Sequence, residues 1–179
     1  MPPTHARQAA FAALIALGCF ALLSTLAMAE DQAAGSVSGL PLPRFVSLKA
    51  DKVNLRAGPT REHDVTWVFT RAGLPVEVTA ESENWRRIRD SEGTEGWVYH
   101  SLLSSRRTVL VAPWSKKSET FPLHQSNDRN AAVTAELQPG VLAAVKSCDK
   151  KWCRIFGDGF DGYIEQERLW GVYPNESVE

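Results

Sequence analysis

The sequence lacks a surplus of charge of either sign, with 20 Lys and Arg against 21 Asp and Glu in 179 residues. A near-neutral chain is poorly suited to collecting on a polyanion, so no nucleic-acid partner is expected. Cysteine is scarce, at three, and histidine stands at four. Of the histidines beyond residue 29, His63, His100 and His124, none sits in an H-E-x-x-H or comparable ligand spacing. No G-x-S-x-G segment occurs, and no nucleophile, base and orienter can be assembled from the chain. An enzyme, a cofactor and a metal are therefore not expected. Nor does any stretch beyond residue 43 keep a helical period for longer than a turn or two. With 44% hydrophobic and 23% charged residues, the composition also excludes collagen-like, coiled-coil and wholly disordered chains.

What is present begins with an address. A short polar start containing His5 and Arg7 precedes an apolar run over 9–26, and Ala27-Met28-Ala29 ends it before acidic Glu30 and Asp31. Small residues at that spacing form a signal-peptidase site, so residues 1–29 are expected to be cleaved after Ala29 on export. An uncleaved anchor is the alternative, since the run is about long enough to span a membrane. A lipoprotein cut before Cys19 is less favoured, because Leu17 is a poor lipobox residue and most of the apolar run would lie on the wrong side of Cys19. Cleavage removes Cys19 and leaves Cys148 and Cys153 in a compartment that permits disulfides. Residues 30–43, with Gly35, Ser36, Ser38, Gly39, Pro41 and Pro43, read as a flexible linker.

Short β-rich runs broken by turn residues follow. Residues 65–69, 74–79, 85–89 and 96–99 are expected strands, separated by turns around Gly73, Asn84 and Gly93. The second half repeats this order. Gly140 answers Gly73, Trp152 answers Trp85 and Ile155 answers Ile88, each 67 residues on. Gly162, Tyr163 and Ile164 answer Gly96, Trp97 and Val98 at 66, while Leu123 answers Leu55 at 68. Such an ordered set is a duplication. The domains expected are 1–29 signal, 30–43 linker, 44–105 and 106–173 two all-β units, and 174–179 a tail.

Units of about 60 residues are marginal alone, and aromatic rings supply large buried areas. Trp85, Trp97 and Trp152 are accordingly expected in the cores. Trp85 and Ile88 are three apart, which breaks strict alternation. A bulge near Arg86 or Arg87, or partial exposure of one ring or chain, should result. Gly58-Pro59 reverses the chain, with Gly58 expected to accept a φ closed to other residues.

Cys148-Asp149-Lys150-Lys151-Trp152-Cys153 places both cysteines at the ends of a hairpin, and a structural disulfide is favoured over unpaired thiols. Redox dithiols use two intervening residues, not four. Asp158 and Asp161, among Gly157, Gly159 and Gly162, fit a tight turn better than a calcium loop. Arg86, Arg87 and Arg89 are either a solvated face balanced by Asp90, Glu92 and Glu95 or a site for carboxylates.

The motifs Asn54-Leu55-Arg56-Ala57-Gly58-Pro59, then Gly73, Trp85-Arg86-Arg87-Ile88 and Gly96-Trp97-Val98 resemble those of the bacterial SH3 (SH3b) family, in order, over residues 46–103. The second unit resembles it more weakly, with Pro122-Leu123-His124-Gln125 for the opening motif and Tyr163 for the second Trp. The resemblance implies two tandem small SH3-like β-barrels, the second degenerate, in a secreted, periplasmic protein. It further implies a non-catalytic envelope module that binds peptidoglycan or a peptide, or else an adaptor or regulator of an envelope enzyme. By the same resemblance the groove beside the long first loop would hold Asn54, Arg56, Thr60, Trp67, Trp97 and Tyr99. For Asn54 and Arg56, fastening that loop to the barrel is an equal alternative. Trp114, Trp170 and Tyr173 would either close the contact between barrels or dock a partner.

Overall fold

The computed structural model describes residues 33–179, so the expected signal segment, residues 1–29, and Cys19 lie outside the described residues. Seven strands build the first unit: β1 (Arg44–Leu48), β2 (Val53–Arg56), β3 (Val65–Phe69), β4 (Pro75–Ser82), β5 (Trp85–Arg89), β6 (Glu95–Tyr99) and β7 (Leu103–Ser104). The second contains β8 (Thr108–Val111), β9 (Phe121–His124), β10 (Val133–Leu137), β11 (Leu142–Asp149), β12 (Trp152–Gly157), β13 (Phe160–Glu165) and β14 (Leu169–Trp170). A last strand, β15 (Ser177–Val178), adds to β11. The strand orders are β3-β2-β6-β5-β4-β1-β7 and β10-β9-β13-β12-β11-β8-β14, which is one topology drawn twice.

The duplication extends to single hydrogen bonds. The Thr66 hydroxyl donates to the Leu55 carbonyl and the Thr134 hydroxyl to the Leu123 carbonyl. His100 N–H donates to Asn84 and Gln166 N–H to Lys151, both at 2.8 Å. Gly73 and Gly140 turn their hairpins at φ of +80° and +79°, where a Cβ is strained. Gly58 serves differently from expectation. Its φ is not positive; a Cβ there would lie 2.2 Å from the ring of His63, an exposed side chain that would have to move aside.

The cores are aliphatic. Leu48, Val53, Leu55, Val76, Val78, Ile88 and Val98 surround Phe69 in the first. Val109, Val111, Leu123, Ile155, Ile164 and their neighbours surround Phe121 in the second. None of the six tryptophans belongs to either aliphatic cluster; Trp85 is buried as expected, but on the other side of the sheet, while Trp97 and Trp152 are only half-buried, which corrects the expectation for those two. The reason is the register. Trp85 pairs with Tyr99 while the inward positions of β6 are Gly96 and Val98, so the ring lies on the outer face, 8% exposed beneath neighbours. The bulge is also displaced, onto the facing strand β4 between Val78 and Ala80, and its counterpart falls between Val145 and Ser147.

The arginine run is no open positive face. Arg86 is buried against Glu81, Arg87 pairs with Glu95, and Arg89 pairs with Glu77. Asp161 is taken by Arg154, and Gly159 turns that hairpin at φ +80°.

The described part of the linker is not a free tether. Gly35 and Leu42 N–H donate to Leu40 and Ala33 carbonyls, and the turn so formed docks on Glu81. That carboxylate accepts from Val37 N–H at 3.1 Å, Ser38 N–H at 2.8 Å and the Ser38 hydroxyl at 2.6 Å. The close approach needs Gly35, where a Cβ would stand 2.5 Å from Glu81 Oε2. The C-terminal residues are held likewise: Glu176 pairs with Arg107, and Val178 lies opposite Cys148 in the β11–β15 ladder.

The two barrels pack on each other. Phe45 meets Trp170 edge to face at 5.1 Å and Tyr173 at 4.7 Å between ring centroids. Thr108 donates to the Gly73 carbonyl at 2.6 Å, and Trp170 Nε1 to the Pro75 carbonyl at 3.3 Å. Trp170 and Tyr173 thus close the contact between barrels, while Trp114 remains 60% exposed.

Candidate functional site

Alternation puts Asn54 and Arg56 on the outer face of β2, because Val53 and Leu55 face the core. Tyr99 on β6 shares that face. These three residues line a groove of about 580 Å³ with Lys52, Arg61, Trp85, Ser101 and Leu102. Tyr99 stands edge-on to Trp85 at 5.4 Å, and the Arg61 guanidinium lies 5.9 Å from the Tyr99 ring centre. Every charged lining residue is basic.

Arg56 also fastens the long loop. Its Nη1 donates to the Arg61 carbonyl at 3.0 Å and to the His63 carbonyl at 2.7 Å. Thr60, Trp67 and Trp97 are not among the groove's walls. The Thr60 hydroxyl meets His63 Nδ1 at 2.9 Å inside the loop, so it shapes the loop rather than the groove. Trp67 projects from β3, 53% exposed, opposite Leu55. Trp97 sits between Arg56 and Arg87 on the neighbouring strands. Their placement follows from β3 being an edge strand and from Trp97 lying further along the sheet than Tyr99.

The corresponding groove of the second barrel is larger, about 1150 Å³. Its difference begins at one residue. Glu165 pairs with Trp152 where Tyr99 pairs with Trp85, and its carboxylate turns to Arg129. Without a ring across it, Trp152 is left half-buried, with His124 edge-on at 5.5 Å. The β11–β12 turn brings Lys150 and Lys151 to one end, and Phe45, Glu77 and Arg89 of the first barrel reach the other. Asp149 stiffens the turn by accepting from Trp152 N–H, the Asn127 amide and Lys151 N–H, bonds that hold its carboxyl below the usual range despite opposing desolvation. Sequence reasoning did not select these residues. The repeat offset of 66 to 68 applied to Arg61, Trp85 and Tyr99 leads to Arg129, Trp152 and Glu165 on this face.

The Cys148–Cys153 disulfide forms across the hairpin, with Cα atoms 4.1 Å apart, and both residues are buried in the second core.

Comparison with known proteins accords with this geometry. In sequence, no curated protein matches the chain. Among solved structures, NlpC2 from Trichomonas vaginalis is similar at 12% identity and a TM-score of 0.32, over 72% of this chain and 48% of its own. NlpC1 from the same organism is similar at 12% identity and a TM-score of 0.33, over 77% and 48%. The chain spans about half the length of these structures, and likeness at that level bears on neither mechanism nor ligand. The bacterial SH3 domain profile, in contrast, matches residues 49–105 and again 117–171, one match in each barrel. With more than half of its residues so matched, the chain belongs to the bacterial SH3 domain family as a tandem pair.

Proposed function

We propose that the protein is a non-catalytic binding module of the bacterial cell envelope, exported to the periplasm, whose first barrel takes a carboxylate-bearing peptide such as a peptidoglycan stem. The observation that carries this reading is the convergence of Lys52, Arg56 and Arg61 on one groove floored by Trp85 and Tyr99, with no acidic residue among its lining. Carboxylates bind guanidinium groups through charge-assisted hydrogen bonds, and a ring platform gives apolar ligand surface a place to leave water.

Retention of the mature chain on purified peptidoglycan sacculi tests it. Retention should fall about tenfold in Arg61→Glu/Tyr99→Ala, a loss typical of removing a binding anchor. Arg56→Ala is the poorer probe, because it also releases the loop carbonyls of Arg61 and His63. Retention unchanged by the Arg61/Tyr99 variant overturns the reading. A single protein partner recovered instead of sacculi would make the chain an adaptor, a role to which the exposed Trp67 and Trp114 also lend themselves.

A further inference from the structure

The second groove differs from the first in chemistry as well as size. Its lining holds Arg89, Arg129, Lys150 and Lys151 against Glu77, Asp128, Glu165 and Glu167, so basic and acidic side chains balance. A groove without net charge has no Coulombic preference for an anionic or cationic ligand. Aromatic surface dominates instead: Trp114 stands 60% exposed at the groove, with the half-buried rings of Trp152, Trp170 and Tyr173 along it. Asn127, Asn130 and Asn175 share the lining; the Asn127 and Asn130 amides donate to Asp149 and Asp128, which leaves their carbonyl oxygens as acceptors.

Gln166 adds an independent observation. It lines the groove at 4% exposure, and its Nε2 donates to the Glu176 carbonyl at 2.8 Å, which fixes the amide orientation. Its Oε1 is buried and has no hydrogen-bond partner among the described residues. An acceptor in that position is destabilising unless a donor reaches it. The volume of about 1150 Å³ also exceeds what a small ligand fills, roughly 300–1,000 Å³.

We infer that this groove binds an uncharged oligosaccharide. A pyranose ring presents an apolar C–H face that lies flat on an indole, and hydroxyls in its plane that donate to and accept from amides and carboxylates. Balanced charge, the four aromatic rings, amide acceptors and the unpartnered Gln166 oxygen together fit that ligand. An acidic peptide would meet Glu77, Asp128, Glu165 and Glu167 in the same lining as the basic residues. The site is composite, since Glu77 and Arg89 come from the first barrel and Trp152 and Gln166 from the second. It goes beyond the peptide reading of the first groove and does not depend on it.

The test is calorimetric titration of the full mature chain with N-acetylglucosamine oligomers, followed in parallel by tryptophan fluorescence. The tetramer should bind more tightly than the dimer, with little change between low and high salt. Trp114→Ala, at an exposed position that spares the fold, should weaken binding about tenfold, and Trp152→Ala should do so at least as much. The first-groove variant Arg61→Glu/Tyr99→Ala should keep oligomer binding while losing binding of an isolated, sugar-free stem peptide, so the two readings fail separately. No heat or fluorescence change with the tetramer, or an affinity indifferent to Trp114→Ala, overturns the inference. So does salt-sensitive binding of a glutamate-rich peptide at the same residues, which would make the groove a peptide site.

Discussion

Arg86 places its Nε 3.2 Å from Glu81 Oε1 across the β4–β5 hairpin, at the register position where the second barrel carries its disulfide. Glu81 and Arg86 stand 67 residues before Cys148 and Cys153. One barrel therefore closes this end with an ion pair and the other with a covalent bond. Each closure also receives a segment from outside its hairpin: the 33–40 turn binds Glu81, and β15 lies along Cys148 and Asp149.

The Glu81 clasp should be sensitive to acid. Burial raises the Glu81 carboxyl, but bonds from the Ser38 hydroxyl and N–H, Arg44 and Val37 N–H outweigh it and hold it at about 2. The folded value lies below the ordinary 4.5, so the stabilisation is complete above that pH and is lost as pH falls through about 2. Val37 and Ser38 amide resonances should shift to released positions over that window. Glu81→Gln should release them at neutral pH, at a cost of about 3 kcal/mol for stranding Arg44 and Arg86. Unchanged amides at the acid end would refute the clasp.

Removing the staple should weaken the second barrel. Replacing both Cys148 and Cys153 by alanine reopens a short loop and should cost about 2 kcal/mol, read from the denaturant midpoint. Reduction of the native protein should cost a similar amount, whereas a midpoint indifferent to reductant would show that the bond adds nothing.

Gly96 and Gly162 are predicted to be equally intolerant of a methyl group. A Cβ at Gly96 would fall 2.6 Å from Leu55 Cγ and 2.8 Å from the Arg56 carbonyl. At Gly162 it would fall 2.7 Å from the His124 carbonyl and 2.8 Å from Leu123 Cγ. Alanine at either should destabilise by about 1–3 kcal/mol, the usual cost of overpacking. A neutral result at one and a large loss at the other would break the equivalence.

The barrel contact should make unfolding a single transition. Tyr173 donates to Glu77 Oε1 at 2.9 Å, and burial together with the Glu77 charge pushes its phenol well above the ordinary value, so it stays a donor in alkali. Tyr173→Phe should cost about 1–2 kcal/mol. Phe45→Ala, which removes the ring between Trp170 and Tyr173, should cost about 3 kcal/mol and separate the urea curve into two steps. Two steps already present in the native protein would mean that the barrels fold independently.

Much of the fold is legible in the chain itself because local chemistry and spacing decide it. The strands 65–69 and 85–89 have the bounds expected, Gly73 and Gly140 turn where glycine alone is comfortable, and the repeat offset carries one topology onto both halves. The cross-hairpin disulfide follows from a spacing of five. Three of the six proposed ligand residues, Asn54, Arg56 and Tyr99, share a groove because strand alternation fixes their face. Which face a tryptophan takes is another matter. It depends on the register of neighbouring strands and on a bulge in the facing one, neither visible in a local pattern, so Trp85 is buried but outside the aliphatic cluster and Trp152 is only half-buried. The docking of residues 33–40 on Glu81 joins positions more than forty apart in sequence. The second groove likewise arises only where Phe45, Trp152 and Trp170, from three separate strands, are folded into one place. Periodicity and turn residues determined the barrels and their number; long-range packing decided which rings face the core and which line a groove.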